Sequence, residues 1–567
     1  MKISFKYLIA ALAVLFFINL RTAGQYRDNA TLSRDMNTIA KANPSLCEIK
    51  SLAKTDGGKE ILVLIIGTGE KHNKPGIAVL GGIEGNYVLG REVAAGFAEN
   101  LLKEASTQEV KDLLAKVTFY VFPDVSPDAS EQFFAKMKFE RSWNAKQVDN
   151  DRDFKMNEDP AEDLNNDGFI TMMRVLDPNG TLIESSDDAR ILVPADFTKG
   201  QVGKYVVYQE GIDNDKDGRY NEDGDGGVNF NNNWTYNYEE FGVYAGVHPV
   251  SEPEVKAVAD FLFNQWNIFA TIAFGPQDNL AQVGRSTSGQ AVASGATVTF
   301  QMSAGGGRAG APGAATAAPT AASRGLQTIA RSDETVNRIM SEKYIETTGV
   351  KGTPVSSSAR GNFMEWAYFH YGRFSYSTPA WWPNAERGRN SEASFIKYAE
   401  ENKLGDVFVP WTEVKHPDFP NMKVEVGGFK PFAMVTPPAE KVPEIITSNY
   451  KFIKVMAAMH PEIEIKDLKI ENTGGDIFRV TLKVYNKGHF ATMAEIGAPN
   501  RFVRQPRVAL TLESKQTVIT GTKVQPMRRL EGNGSAEYSW LIRGKGTISV
   551  KAGDVNCGTA TVKAELK

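Results

Sequence analysis

The stretch AVLGGIEGNYVLGRE, residues 78–92, constrains the fold of this 567-residue chain more than any other. Ile77 to Leu80 is an apolar run of strand length. It leads through a glycine-rich turn into Arg91 to Glu104, where Val93, Phe97 and Leu101 recur at helical spacing. Ile61 to Ile66 is a further apolar strand, and Val117 to Phe122 alternates in a β-rich manner. Strand, turn, helix, strand is the rhythm of an α/β domain.

Downstream, SEPEVKAVADFLFNQW predicts a second helix. Ser251 and Glu254 are spaced as a capping box, and Val255, Val258, Phe261, Leu262 and Trp266 form one apolar face. IFATIAF, residues 268–274, reads as a buried strand. Residues 281–331 are rich in Gly, Ala, Ser and Thr; such a segment cannot bury enough apolar surface to fix itself, so a flexible excursion inside the domain is expected. Helical pattern resumes in SDETVNRIMSEKYIE, from Ser332. After His460 the runs DIFRVTLKVYN, RVALTLES, AEYSWLI and GTISVKAG alternate between turn residues, which predicts a small β-sandwich over 460–567 packed on the first domain.

The N-terminus has the pattern of a signal peptide over 1–24: Lys2 and Lys6, an apolar run from Tyr7 to Leu20, then Thr22, Ala23 and Gly24 before Gln25. An uncleaved anchor is the alternative. With no Cys after the run to take a lipid, the expectation is a secreted or periplasmic protein without a stable membrane anchor. A formal net charge of −4 gives no broad basic field and argues against nucleic acid as a partner. The two cysteines, Cys47 and Cys557, do not make a disulfide scaffold; two separate buried thiols are the simpler reading, and a bridge between them is the other.

One internal repeat stands out. DNDRDFKMNED and DNDKDGRYNED place carboxylates at alternate positions, Asp149, Asp151 and Asp153 with Glu158, and Asp213, Asp215 and Asp217 with Glu222. Between them DLNNDGFI offers Asp163, Asn165 and Asp167. Clustered hard oxygen ligands suit calcium, and Gly218 sits where such a loop must bend. The glutamates fall short of the twelfth position of an EF-hand, so structural calcium in loops of another kind is expected.

In order along the chain, GGIEGNYVLGRE, FPDVSPDA, the acidic loops, GVNFNNNW, HPVSEPEVKAVADFL, AFGPQDNL, FMEWAYFHYGRFSYSTPAWW and HPDFPNMKVEVGG together resemble the zinc carboxypeptidases of the A and T type, over roughly residues 30 to 450. The resemblance implies a three-layer α/β/α sandwich with a mixed central sheet over residues 25–455. It also implies a zinc held by two His and a Glu, a Glu as general base, and Arg and Asn residues that clamp the substrate carboxylate. Here the zinc positions fall at Glu84, Tyr87 and Gly275, and the base at Pro379. Asn231 and Asn233 persist at the clamp, Asn232 stands for its Arg, and Arg141 corresponds to a retained substrate-side Arg. The aromatic set Trp366, Tyr368, Phe369, Tyr371, Tyr376, Trp381 and Trp382 falls on what would be the cleft side, with Trp381 the substrate-binding candidate; that most of the set is ordinary core is the other reading. No two of the six histidines, at 72, 248, 370, 416, 460 and 489, are spaced as a ligand pair on one helix or turn.

Without these groups, zinc-dependent hydrolysis and the zinc itself are expected to be absent. The chain is then a homologue that binds a peptide, a cell-wall peptide or a protein partner. An active metallocarboxypeptidase with atypical ligands is the alternative, and a structural component of a surface assembly a third reading.

Overall fold

The computed structural model describes residues 26–149, 154–157, 159–216, 218–221, 226–283, 328–357, 359–385 and 391–567. The predicted signal peptide and most of the Gly/Ala-rich segment lie outside them.

A six-stranded mixed sheet forms the centre, in the spatial order Cys47–Lys54, Glu60–Ile66, Thr118–Phe122, Gly76–Leu80, Ile268–Phe274, Phe374–Thr378. The first two pairings are antiparallel, and the remaining three are parallel. Both faces are covered, which explains the unbroken apolar runs. Period two sends Leu64, Ile66, Ile77 and Val79 into one core, and Ile61, Val63, Ile65, Ala78 and Leu80 into the other. Helices Asn29–Ala42, Val88–Lys103, Gln108–Lys116, Glu334–Thr348 and Val442–Ala458 close the first core; Pro253–Asn264 and Phe363–Phe369 close the second. This is the α/β/α arrangement that the sequence implied.

The capping box does not form. Helix Pro253–Asn264 takes Glu252 as its N-cap, with no side-chain cap bond. Ser251 Oγ donates to Glu252 Oε1, and Glu254 Oε1 accepts from Asn144 Nδ2, because one buried amide bridges both glutamates.

A second six-stranded sheet has the order Phe408–Val414, Val424–Phe429, Met172–Leu176, Tyr205–Gln209, Leu182–Glu184, Leu192–Pro194. The sequence reading did not anticipate it. Arg174 is clamped on it between the rings of Tyr205 and Trp411, and its Nε donates to Glu425 Oε2 at 2.8 Å.

The C-terminal region is a sandwich of two four-stranded antiparallel sheets around Phe478, Val480, Leu482, Trp540, Ile548 and Val550. It is fastened to the α/β domain. Arg529 Nη2 lies 2.7 Å from Oδ1 of the fully buried Asp333, while Tyr368 Oη and the Glu495 amide donate to Asp333 Oδ2. Phe490 packs edge-on against Phe269 and Phe374. Cys47 and Cys557 are separate buried thiols, and burial pushes them up to about 11 and about 12.

Candidate functional site

The strand Gly76–Leu80 leaves the sheet through a turn that only glycines fit. A Cβ on Gly81 would lie 2.5 Å from the carbonyl oxygens of Gly90 and Pro123, and Gly82 has φ +65°. The turn carries Glu84 and makes Tyr87 the N-cap of helix Val88–Lys103.

Glu84 is partly buried and accepts two amide hydrogen bonds, from Asn229 Nδ2 to Oε1 at 2.8 Å and from Asn231 Nδ2 to Oε2 at 2.9 Å. Asn231 Nδ2 also reaches Gln277 Oε1 at 2.8 Å, and its Oδ1 accepts from the Phe363 amide. Asn229 is held in turn by capping the short turn Phe230–Asn232. Desolvation raises the Glu84 carboxyl, and the two amides oppose that rise. Burial, with Glu84 and Glu140 nearby, pushes the Tyr87 phenol well above its ordinary range. Gln277 and Asn229 were not singled out from the sequence; nothing in their spacing marks them.

The other positions are filled for packing. Ile83 lies against Gly275, 3.0 Å from where a Cβ would stand. Pro379 is buried after Thr378, whose Oγ1 bonds Tyr344 Oη at 3.0 Å. Arg141 Nε and Nη2 donate to the carbonyls of Trp143 and Asn144. Asn233 is fully buried and donates to the Ala245 and His248 carbonyls, so it holds the following loop. Trp366, Tyr368, Tyr371 and Tyr376 are core; Phe369, Trp381 and Trp382 are partly buried against it. Asp278, missed in the sequence, is buried near Thr378 and pushed up to about 6 by desolvation against bonds from the amides of Ala281 and Gln282.

These residues do not fit a zinc ion. The one carboxylate at the centre has both oxygens engaged by amides, the glycine position is backed by isoleucine, and among the described residues no three His, Cys, Asp or Glu side chains converge as a metal group.

The acidic loops are drawn together. Asp159, fully buried, accepts from Asn214 Nδ2 at 3.0 Å and from the Asn221 amide at 2.6 Å, which clasps the first repeat to the second. Glu210, buried beneath them and pushed up to about 7 by desolvation, accepts from the amides of Leu164 and Thr171. Asp149 Oδ2 accepts from the Phe154 amide, Asp163 from the amides of Asp167 and Gly168, and Asn165 from Asp167. Asp213 Oδ2 accepts from Gly218, whose φ is +89°; its Oδ1 is buried without a hydrogen-bond partner among the described residues, and desolvation and Asp215 raise its carboxyl. Asp151, Asp153, Glu158, Asp217 and Glu222 lie outside the described residues.

The family profile described as zinc carboxypeptidase matches residues 32–168 and 205–404. The chain belongs to the zinc carboxypeptidase family. The unmatched interval between them holds three strands of the second sheet, Met172–Leu176, Leu182–Glu184 and Leu192–Pro194. A domain of unknown function, DUF8731, matches residues 462–565, the sandwich. Carboxypeptidase E of Caenorhabditis elegans is 28% identical over 141 residues, 23% of this chain and 30% of that protein. Human carboxypeptidase D is 29% identical over 101 residues, 17% of this chain and 7% of that protein. The chain thus spans less than a third of either relative. Among solved structures, thrombin activatable fibrinolysis inhibitor has a TM-score of 0.39 at 13% identity, covering 76% of this chain and 74% of that one. Carboxypeptidase A from Helicoverpa armigera has 0.36 at 12%, covering 70% and 79%.

Proposed function

We propose that this member of the zinc carboxypeptidase family is a secreted or periplasmic protein that has given up zinc-dependent hydrolysis and binds peptides in the remnant of the cleft. The observation that carries this reading is the amide-locked carboxylate, Glu84 between Asn229 and Asn231 with Gln277 behind them. A carboxylate so engaged has little left for a metal, and nothing at Gly275 or Pro379 supplies a second ligand or a base.

Peptide binding is supported by the rim. The loop that accepts the Asn229 amide through the Tyr244 carbonyl carries Phe241, Val243 and Val247 at 81%, 70% and 81% exposure. Tyr244 is stacked on Trp143 at 4.4 Å. Apolar side chains grouped on a loop beside a polar cleft are suited to an extended ligand. We further propose that the three clasped acidic loops bind structural calcium, since their carboxylates repel unless a cation neutralises them.

The test is elemental analysis of the mature protein after exchange into metal-free buffer, with a carboxypeptidase assay alongside. Calcium without zinc, and no cleavage, is the expected result. Zinc near one per chain with peptide hydrolysis would establish instead an active metallocarboxypeptidase with atypical ligands.

A further inference from the structure

The centre around Glu84 is acidic and has no cationic partner among the described residues. Glu84 and Glu140 both act on the Tyr87 phenol, and among the described residues neither carboxylate is paired with Lys, Arg or His. Glu140 is occupied by the Asn86 side chain and the Phe432 amide. Arg141, next in sequence, turns its Nε and Nη2 to backbone carbonyls.

Two acceptors close in the chain to residues of this centre also lack donors among the described residues. Asn86 Oδ1, two residues after Glu84, and Asn232 Oδ1, beside Asn231, are buried and lack a hydrogen-bond partner among the described residues. One donor is also unspent: Gln277 is 1% exposed, its Oε1 holds Asn231, and its Nε2 is buried with no partner among the described residues. Buried polar groups are normally satisfied, so this set describes a ligand. It calls for a cation with several N–H donors near a single acceptor.

We propose that this centre receives the free α-ammonium of a peptide, with Glu84 as counter-charge and Gln277 Nε2 donating to the adjoining carbonyl. This rests on the peptide-binding reading above and specifies which end of the peptide enters. An ammonium is a compact charge with three donors and needs one free lone pair from each acceptor. A guanidinium prefers both carboxylate oxygens in a fork, and here each already accepts an amide. A hard metal ion demands more oxygen ligands than converge.

The experiment uses the full mature protein and a randomised, lysine-free hexapeptide pool in four forms: free, N-acetylated, C-amidated and doubly blocked. Retention by the protein is read by equilibrium dialysis and mass spectrometry. Acetylation is expected to lower retention about tenfold or more and amidation to change it less than about twofold, tenfold being the loss of one charge-assisted contact. Glu84→Gln, nearly isosteric, is expected to bind the free and acetylated pools alike.

Loss on amidation but not acetylation would overturn the inference by showing a carboxylate-binding centre. Equal retention of all four forms would overturn it while leaving peptide binding intact. Retention of none would overturn the peptide-binding reading itself. If Glu84→Gln does not fold, the four pools on the unaltered protein still decide.

Discussion

The Cβ of Ile83 lies 3.0 Å from the point where a side chain on Gly275 would begin, and its Cγ2 lies 3.2 Å away. The space that a side chain at 275 would need is therefore already filled by a buried aliphatic chain that is 1% exposed.

Gly275→His should therefore destabilise the protein by about 1–3 kcal/mol through overpacking, without creating peptidase activity. Pairing it with Ile83→Ala should recover part of the loss. Thermal unfolding of the single and double variants checks this, together with peptide cleavage in the presence of zinc. A single variant as stable as the parent, or one that cleaves, contradicts the account of the site.

The fastening of the sandwich makes a second prediction. Asp333 is fully buried, and Arg529 is its ionic partner across the two regions. Removing Asp333 leaves Arg529 with its more exposed partners, Glu495 and Glu531, and leaves Tyr368 Oη and the Glu495 amide without their acceptor, at about 1–3 kcal/mol for each group left unsatisfied. Asp333→Ala should lower the unfolding temperature and speed amide exchange around 490–505, where Phe490 and Phe502 meet the first domain. Unchanged exchange there would mean that the apolar contacts alone hold the sandwich.

A third concerns pH. Glu254 is 1% exposed, and desolvation, with help from Glu252 and Asp128, raises its carboxyl from 4.5 to about 7. Facing it are Asn144, the Lys146–Glu252 pair and Asp128 with Lys59. A carboxyl with a higher pKa folded than unfolded holds an extra proton in the native state between those two values, so stability falls as pH rises through that window. Urea unfolding at about pH 5 and about pH 8 should show this loss, and Glu254→Gln should lessen it. Equal losses in parent and variant would remove Glu254 from the explanation. Glu210 and Asp278, raised to about 7 and about 6, supply part of what remains.

Four strands of the central sheet, and the sandwich, were legible because their patterns are physical consequences of burial; Cys47–Lys54 and Phe374–Thr378 were not read. Ile61 to Ile66 is an unbroken run because both faces are covered, and residues 477–486 alternate because one face meets solvent. The second sheet was not legible. Two of its strands have three residues each and are half exposed, and it joins Met172–Leu176 to Val424–Phe429 across a long separation in sequence. The resemblance to the family's turns was enough to propose Glu84, Tyr87 and Gly275 for the zinc positions. The amide network of Asn229, Asn231 and Gln277 on Glu84 could not be read, because a buried amide network has no period and is defined only by where its atoms meet. The Ser251/Glu254 capping pattern misled for the same reason: Asn144, remote in sequence, competes for the glutamate.

The acidic loops make the last prediction. Asp159 joins Asn214 and Asn221, and Glu210 joins Leu164 and Thr171, so the loops share two buried carboxylates before any ion is counted. Burying such groups beside Asp163 and Asp213 without neutralisation is unfavourable, and calcium bound only by the native arrangement would stabilise it by mass action. Chelation should lower the unfolding temperature and raise exchange at 163–168 and 213–221 first, leaving the sandwich strands protected. Asp213→Asn, which removes a charge whose Oδ1 has no partner among the described residues, should weaken the calcium response and leave the basal fold intact. A chelated protein with unchanged stability and exchange would show that the carboxylates are held by protons and backbone amides alone, which the raised Glu210 and Asp213 carboxyls would then explain.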